Sequence, residues 1–236
     1  MPPFNKRCII IHFSPHHITC SWFEQDNNKA TLKAYKSVPL EHLELERLVI
    51  FNPSHISTII QSFLDEHRLQ NTCALFCLSG PSLKEQVVTC ETATFCPKKM
   101  ANTTDFKLPE WEGIIWDHSY LYPSHDGKYV FYIAGITREL LFQYQLLAMQ
   151  NHLNLTAISP ETMGLLNLYK IHKGAQFRHS QLGIELSRHN NDITKMFNEK
   201  TLHDVANFGA SKVITENHKP ALLASLGLFL TRNTRA

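Results

Sequence analysis

The segment Arg7 to Phe23, RCIIIHFSPHHITCSWF, carries the pattern that decides the fold of the first part of the chain. Its two ends, Arg7 to Phe13 and Ile18 to Phe23, are apolar runs rich in β-branched residues, and such runs form strands. Between them stands Ser14-Pro15-His16-His17, which has the composition of a turn. A third strand-like run, Ala30 to Val38, follows after a polar turn. The sequence therefore predicts a three-stranded meander.

A helix and a fourth strand are predicted directly after the meander. Asn52 is a favourable N-cap, and proline, here Pro53, is favoured at the first helical position. The apolar residues that follow recur at helical spacing; they are Ile56, Ile59, Ile60, Phe63 and Leu64. The run Thr72 to Leu78 is a short apolar strand that ends at Ser79-Gly80-Pro81. The order β-β-β-α-β is compatible with an α/β layer arrangement.

The middle of the chain has a different composition, which indicates an inserted α+β subdomain. Two strand-like runs, Gln86 to Thr94 and Tyr129 to Gly135, flank a polar stretch, and the second leads into a helix from Thr137 to about His152. The aromatic content of Trp111 to Leu121 argues against a free linker between them.

The last part of the chain returns to alternating strands and helices. We predict a strand at Leu153 to Ile158, followed by a helix that is capped by Ser159-Pro160-Glu161 and runs to about His172. The runs Gln181 to Leu186 and Ile193 to Phe197 are predicted to form a second hairpin. The final helix, from about Pro220 to Leu230, is almost entirely apolar and is therefore expected to be buried.

Length and patterning together predict one core with an insertion. A chain of 236 residues that is 43% hydrophobic can bury a substantial core. We assign residues 1–81 and 153–236 to an α/β core and residues 82–152 to the inserted subdomain.

Charge, cysteines and hydropathy limit the possible functions. The formal net charge of +2 gives no overall electrostatic reason to expect a nucleic-acid partner. The six cysteines form no CxxC pair and no paired zinc spacing, so buried, reduced thiols in the cytoplasm are expected. The first apolar stretch, Cys8 to Ile11, is far too short for a signal peptide or a membrane span. Any membrane association is therefore expected to come through a partner.

The order of elements and several local stretches resemble the actin-like PilM family of pilus-assembly proteins. Ile9 to Thr19 lies where that family has its first strand, phosphate loop and second strand. Tyr129 to Leu168 is similar to the passage out of its inserted subdomain, and Leu182 to Ser187 occupies the second phosphate-loop position. Leu222 to Leu228 resembles its closing Ala-x-Gly-Leu helix. The resemblance implies an actin-like (ribonuclease H-like) ATPase fold with two hairpin-bearing halves and an inserted α+β subdomain.

The first phosphate-loop position departs from the family pattern. The family has an Asp followed by a Gly-led turn of small polar residues, whereas this chain has His12, Ser14, Pro15, His16 and His17. Backbone N–H groups cradle phosphate only where the chain approaches closely, which glycine permits, and proline has no N–H to donate. The family's phosphate-binding function is therefore not expected to be retained at Ser14, His16 and His17.

The second half departs from the family pattern as well. Its loop has Asp-x-Gly in the family and Glu185-Leu186-Ser187 here, so at most Glu185 could help to hold Mg²⁺ through water. About ten residues separate Gly209 from Pro220, where the family has a whole subdomain. The lid of the second half is therefore predicted to be missing. We predict that ATP and Mg²⁺ are not bound, that no catalytic residue is present, and that the chain is a pseudo-ATPase.

Two local patterns could indicate catalytic or metal chemistry. His12, His16 and His17 could form a zinc cluster, but no fourth ligand is evident, so we favour a polar turn with one partly buried histidine. Ser79 to Ser82 could suggest a nucleophile turn, but the Gly-x-Ser-x-Gly elbow is missing. The simpler interpretation is the end of a strand.

Two further groups could form surfaces for partners. Arg178, His179, Arg188 and His189 could be a basic strip, but the interleaved aromatic residues of a nucleic-acid platform are lacking, so we favour a solvated edge. A second group of aromatic residues could be an exposed docking patch or ordinary core; it contains Trp111, Trp116, Tyr120 and Tyr122.

The resemblance implies a cytoplasmic scaffold or adaptor, peripheral at the inner membrane, in a type IV pilus or DNA-uptake (competence) platform. Its expected partner is the cytoplasmic tail of a PilN-like bitopic membrane protein, bound as an extended peptide between the inserted subdomain and the first β-layer. The sequence does not identify the peptide-binding residues. A divergent actin-like ATPase that uses Glu185, and the cytoplasmic platform domain of type II secretion, are the alternatives.

Overall fold

The computed structural model describes residues 7–26, 29–41, 45–95, 113–124, 126–188, 193–197, 206–207 and 219–234. The predicted meander is confirmed as strands β1 (Arg7–Ser14), β2 (His17–Asp26) and β3 (Lys29–Pro39), which pair antiparallel. A short hairpin of β4 (Leu45–Glu46) and β5 (Val49–Ile50), which the sequence did not predict, comes next.

The predicted helix and fourth strand are confirmed. Helix α1 (Pro53–His67) begins where Asn52 Oδ1 accepts a hydrogen bond from the backbone N–H of His55 at 3.1 Å. It ends at Arg68, which adopts the left-handed conformation. Strand β6 (Cys73–Leu78) then pairs parallel with β1.

The inserted segment forms a sheet of its own. Strands β7 (Lys84–Cys90), β8 (Ile114–Pro123) and β9 (Tyr129–Thr137) pair antiparallel in the order β7-β9-β8. One face of this sheet buries a small apolar cluster made of Val88, Cys90, Phe95, Phe131 and Ile133.

The main sheet is completed by a strand that follows the insertion. Helix α2 (Arg138–Gln150) leads into β10 (Asn154–Pro160), which pairs parallel with β6. A two-residue strand, β11 (Ala206–Asn207), pairs parallel with β3. The order across the described strands is β10-β6-β1-β2-β3-β11. The described residues therefore contain one hairpin-bearing main sheet, where the resemblance implied two halves.

Helices cover both faces of the main sheet, because β1 alternates between them with period two. Ile9, Ile11 and Phe13 face α1 and α2. Cys8 and Ile10 face α3 (Glu161–Lys173) and α5 (Lys219–Thr234). The core thus consists of two apolar layers separated by the sheet.

Helix α2 packs against the main sheet together with α1. The hydroxyl of its buried Tyr144 donates a hydrogen bond to the carbonyl of Leu48 at 3.0 Å, and Leu140 and Leu147 join the same apolar cluster. The division into a core and an insertion at residues 82–152 stays a prediction.

The predicted second hairpin at 181–186 and 193–197 is wrong. Residues His179–Arg188 form helix α4, and Ile193–Met196 form a 3₁₀ turn. A strand would place Leu182 and Ile184 on the same face, whereas Leu182 is fully buried and Ile184 is 46% exposed. Helical spacing is what buries Leu182 in the core, so tertiary packing selected the helix.

The final predicted helix is confirmed, and it crosses α3 at very short range. A Cβ atom added to Gly227 would lie 1.8 Å from the carbonyl oxygen of Gly164. A Cβ atom added to Gly164 would lie 2.4 Å from the carbonyl oxygen of Ala224. Only glycine permits this approach of two backbones. Within the described ranges, no helix combines the length and apolarity needed to cross a bilayer.

Candidate functional site

The first predicted phosphate-loop position lies in the turn between β1 and β2. The Ser14 hydroxyl donates to the carbonyl of His17 at 3.1 Å and accepts from its N–H at 3.2 Å. Pro15 has no N–H, and His16 is exposed to solvent. The Ser14 hydroxyl and the backbone of His17 are therefore engaged with each other, and the His16 carbonyl accepts the N–H of Leu40 at 2.8 Å.

A buried pair of side chains in contact lies directly beside this turn. His12, only 4% exposed on β1, places its Nε2 atom 3.1 Å from Oε2 of Glu161 in the first turn of α3. Burial raises the pKa of Glu161, but the hydrogen bond and charge of His12, with a hydrogen bond from Ser79, lower it by more, so the pKa lies below its ordinary value. The pair connects the centre of the main sheet to α3.

The cavity at the His12–Glu161 pair is small. It measures about 170 Å³ and is closed on one side by the start of α5; its lining consists of His12, Ser14, His17, Thr19, Ser79, Glu161, Pro220 and Ala221. Small-molecule pockets usually measure about 300–1,000 Å³. This cavity is therefore smaller than a usual small-molecule pocket, although a neighbouring cavity of about 610 Å³ shares Ser79 and Glu161 with it. No three His, Cys, Asp or Glu side chains converge in a metal site within the described residues.

The second predicted phosphate-loop position lies on a helix. Glu185 and Ser187 belong to α4, and Glu185 Oε1 lies 3.5 Å from the Lys173 ammonium of α3. Burial, followed by the hydrogen bond and charge of Glu185, raises the pKa of the Tyr169 hydroxyl. The described lining of the small cavity does not include Glu185. The structure therefore does not bring Glu185 to Ser14 and His17.

The basic and aromatic candidates are distributed over several environments. Arg178 donates to the carbonyl of Phe177 at 2.9 Å, and Arg188 is exposed; His189 and Trp111 lie outside the described residues. Trp116 and Tyr120 pack against the cluster around Phe131, and Tyr122 packs beside Gly183. These contacts favour core packing for the three described aromatic residues.

A groove separates the inserted sheet from the edge of the main sheet. Its first part is a cavity of about 170 Å³ at the carboxyl ends of β6 and β10, and its lining is mostly apolar; it includes Leu78, Leu83, Ile115, Trp116, Ile136, Leu141 and Pro160. Its second part is a cavity of about 330 Å³ that continues towards Leu228 and Thr231 on α5. Asp117, Ile158, Ser159 and Met163 line both parts.

Two strand edges border this feature, which we call the β8–β10 groove. Among the described strands, β8 is paired only with β9, and β10 is paired only with β6. The far end of the β8 edge is covered, because Lys170 donates to the Tyr120 carbonyl and the Ser119 hydroxyl, each at 3.3 Å. Among the described residues, the open part of the edge is therefore its beginning, at residues 114–117. Unpaired edges with apolar pockets beside them suit an extended peptide.

Sequence reasoning placed a peptide site in this region but did not find its residues. Ile158 and Met163 were assigned only to secondary structure, and Asp117 was not singled out at all. The alternation of apolar and polar residues in β8 is a local signal for a strand. It contains no information about the second strand edge, which comes from a distant part of the chain.

Comparisons with known proteins support the fold. No family model and no curated protein matches the sequence. Among solved structures, the chain is similar to a PilM-PilN type IV pilus biogenesis complex, with 14% identity and a TM-score of 0.55 over 70% of this chain and 50% of that chain. The chain thus spans about half the length of that protein.

Two other solved structures show more distant similarity. The cytoplasmic domain of EpsL, an inner membrane component of the Vibrio cholerae type II secretion system, matches at 12% identity and a TM-score of 0.42, over 67% of this chain and 57% of that chain. A Bacteroides thetaiotaomicron protein with an actin-like ATPase fold matches at 12% identity and a TM-score of 0.38, over 71% and 56% of the two chains. The predicted actin-like α/β fold is confirmed, and the match with a TM-score of 0.55 is the one that supports it here.

Proposed function

We propose that this chain is a scaffold that binds an extended polypeptide in the β8–β10 groove. The observation that carries the proposal is the position of the groove between two strand edges, each with an open side among the described residues. Backbone groups on such an edge give affinity to any extended chain, and neighbouring pockets select its side chains. The apolar lining around Ile115, Trp116 and Met163 favours apolar side chains.

The bound polypeptide, in this proposal, is the cytoplasmic tail of a PilN-like bitopic inner-membrane protein. The chain would then act in the assembly platform of a type IV pilus or DNA-uptake apparatus, held at the cytoplasmic face of the inner membrane through that partner. The structural similarity to a PilM-PilN complex supports this assignment.

The same proposal includes the absence of ATP hydrolysis. It is supported by the small cavity at His12, by the self-bonded turn at Ser14, and by the location of Glu185 on a helix. A ligand that binds the native state raises the melting temperature. We therefore expect that millimolar Mg-ATP leaves the thermal unfolding curve unchanged, and a saturable rise would contradict the proposed pseudo-ATPase.

Peptide binding can be measured by calorimetry with the synthetic cytoplasmic tail of the PilN-type protein from the same genome. The chain offers a matched pair of variants, because Ile115 in the groove is 43% exposed and Ile184 on α4 is 46% exposed. Truncating a hot-spot residue at the centre of an interface costs about 2 kcal/mol or more, and we expect Ile115 to be such a residue. Ile115→Glu should therefore weaken binding by at least about tenfold, whereas Ile184→Glu should leave it unchanged.

Two results would count against the peptide-binding function. One is a folded wild-type protein that shows no heat of binding with the tail peptide. The other is an equal loss of affinity in the two variants, because that would place the peptide elsewhere or indicate a general effect of added charge.

A further inference from the structure

The described lining of the β8–β10 groove has one acidic side chain, and Lys170 lies at the far end of its β8 edge. Asp117 lies on β8 at the junction of the two cavities and lines both. It is the one carboxylate in the described lining of either cavity, and that lining includes no Lys or Arg. An extended chain that lies along the groove would pass this side chain.

The carboxylate of Asp117 is accessible and is held by its own neighbour. Its side chain is 88% exposed, and its Oδ1 atom accepts the backbone N–H of His118 at 2.7 Å. Nδ1 of His118 lies 3.8 Å from the same oxygen. These local contacts orient the carboxylate at the groove and leave it open to a bound ligand.

A neighbouring cavity also has acidic side chains in its described lining. Glu85 and Glu161 line this cavity of about 610 Å³; Glu161 pairs with His12, and Glu85 accepts a hydrogen bond from the Tyr132 hydroxyl. Its described lining also includes no Lys or Arg. The acidic character is local, because the whole chain has a formal net charge of +2.

We propose that the polypeptide bound in the β8–β10 groove carries a lysine or arginine that pairs with Asp117. This inference rests on the proposed function and adds the chemistry of the partner. Long cationic side chains lay their aliphatic stems on apolar surface and keep the charge in water. Ile115, on the same face of β8 as Asp117, and Met163 line the same cavity and provide such a surface. Segments next to the cytoplasmic end of a membrane span are rich in Lys and Arg, so a membrane-protein tail has the required charge.

The ion pair with Asp117 is expected to change the affinity only modestly, but this change should depend on charge and on salt. An exposed ion pair contributes about 0.2–1 kcal/mol, which corresponds to about a 1.4- to 5-fold change in affinity. Charge complementarity of this kind mainly determines partner choice and the association rate, and it is screened by salt. Asp117→Asn should therefore weaken binding by about 2- to 5-fold at low salt, with a smaller effect at 0.5 M salt.

Charge reversal with a matched control tests the pairing. Asp117→Lys should weaken binding of the same tail peptide by about tenfold, and Glu66→Lys, which changes the net charge equally at a 58% exposed side chain of α1, should not. Replacing a Lys or Arg of the peptide with Glu should weaken binding to the wild-type chain and restore binding to Asp117→Lys. This double-mutant cycle isolates the pair from general charge effects.

The outcomes separate this inference from the proposed function. If the tail peptide binds the groove and loses affinity with Ile115→Glu, but is indifferent to Asp117→Lys and to its own charges, the Asp117 pairing is wrong and the groove remains the binding site. If Glu66→Lys weakens binding as much as Asp117→Lys, the pairing is also wrong. If the peptide does not bind at all, the proposed function fails first.

Discussion

The crossing of α3 and α5 gives the sharpest test of the structure, through the substitution Gly227→Ala. The new Cβ atom would lie 1.8 Å from the backbone oxygen of Gly164, 2.8 Å from its carbonyl carbon and 3.0 Å from Cβ of Leu168. Heavy atoms that are not neighbours in the chain essentially never lie closer than 3.0 Å to a Cβ atom. Because the obstructing atoms belong to a backbone, the two helices must separate by more than about 1 Å.

Two opposing effects determine the size of the change. Alanine is favoured over glycine in a helix interior by about 1 kcal/mol. Overpacking a close-packed site typically costs about 1–3 kcal/mol and occasionally more, and moving a helix also loosens buried residues such as Leu222 and Leu168. We expect a net loss of about 2 kcal/mol, which lowers the melting temperature by about 4–8 °C for a chain of this size.

Thermal and urea unfolding followed by circular dichroism would measure this loss. Gly80→Ala is the matched control, because the nearest atom to its new Cβ would be the side-chain Cγ of Leu48 at 3.2 Å, and a side chain can move. The control should change the free energy of unfolding by less than about 1 kcal/mol. If Gly227→Ala is as stable as the wild type or more stable, helix propensity dominates and the close crossing is refuted.

Two further predictions concern buried ionisable groups. Glu161→Gln should lower the free energy of unfolding by about 1–3 kcal/mol at pH 7, because it removes the charge-assisted bond to His12. Since the pKa of Glu161 is depressed in the folded state, its contribution is present above its ordinary pKa of 4.5 and is lost as the pH falls through the folded value. The free energies of unfolding of the two proteins should therefore begin to converge below about pH 4.5 and meet only below the depressed pKa of folded Glu161. A difference that stays constant as the pH falls below 4.5 would contradict the role of the carboxylate. Burial raises the pKa of Cys20 to about 12, and the other described cysteines, Cys8, Cys73, Cys77 and Cys90, are buried too. In a Cys96→Ser variant at pH 8, a thiol reagent should react slowly with the native protein and fully in denaturant, whereas fast native labelling would argue against this core.

The candidate site could be predicted only in part from the sequence. The turn at Ser14-Pro15 was assigned correctly because its residues are contiguous, and proline and serine have strong local preferences there. The partner of His12 could not be found, because Glu161 lies 149 residues away in the chain. Its only sequence signal is an acidic residue at the start of a helix, which is common for electrostatic reasons alone.

The run that contains Glu185 was wrongly predicted as a strand for a different reason. Leu182, Ile184 and Leu186 alternate with other residues as in a strand, but Leu182 and Leu186 also have helical spacing. A short apolar run of this kind fits both periods. The apolar layer under α3 and α5 selected the helix by burying Leu182. No property of residues 181–186 themselves distinguishes a strand from a helix.

The sequence by itself determined the elements whose local signals agree with one another. The β1–β3 meander, α1 with its Asn52 cap, and the apolar strand β6 each combine periodicity with a turn or cap residue. The tertiary structure alone decided the His12–Glu161 pair, the helical state of residues 179–188 and the β8–β10 groove. The physical reason is range: propensity and capping act over a few neighbouring residues, whereas these three features depend on segments that meet only when the chain is packed.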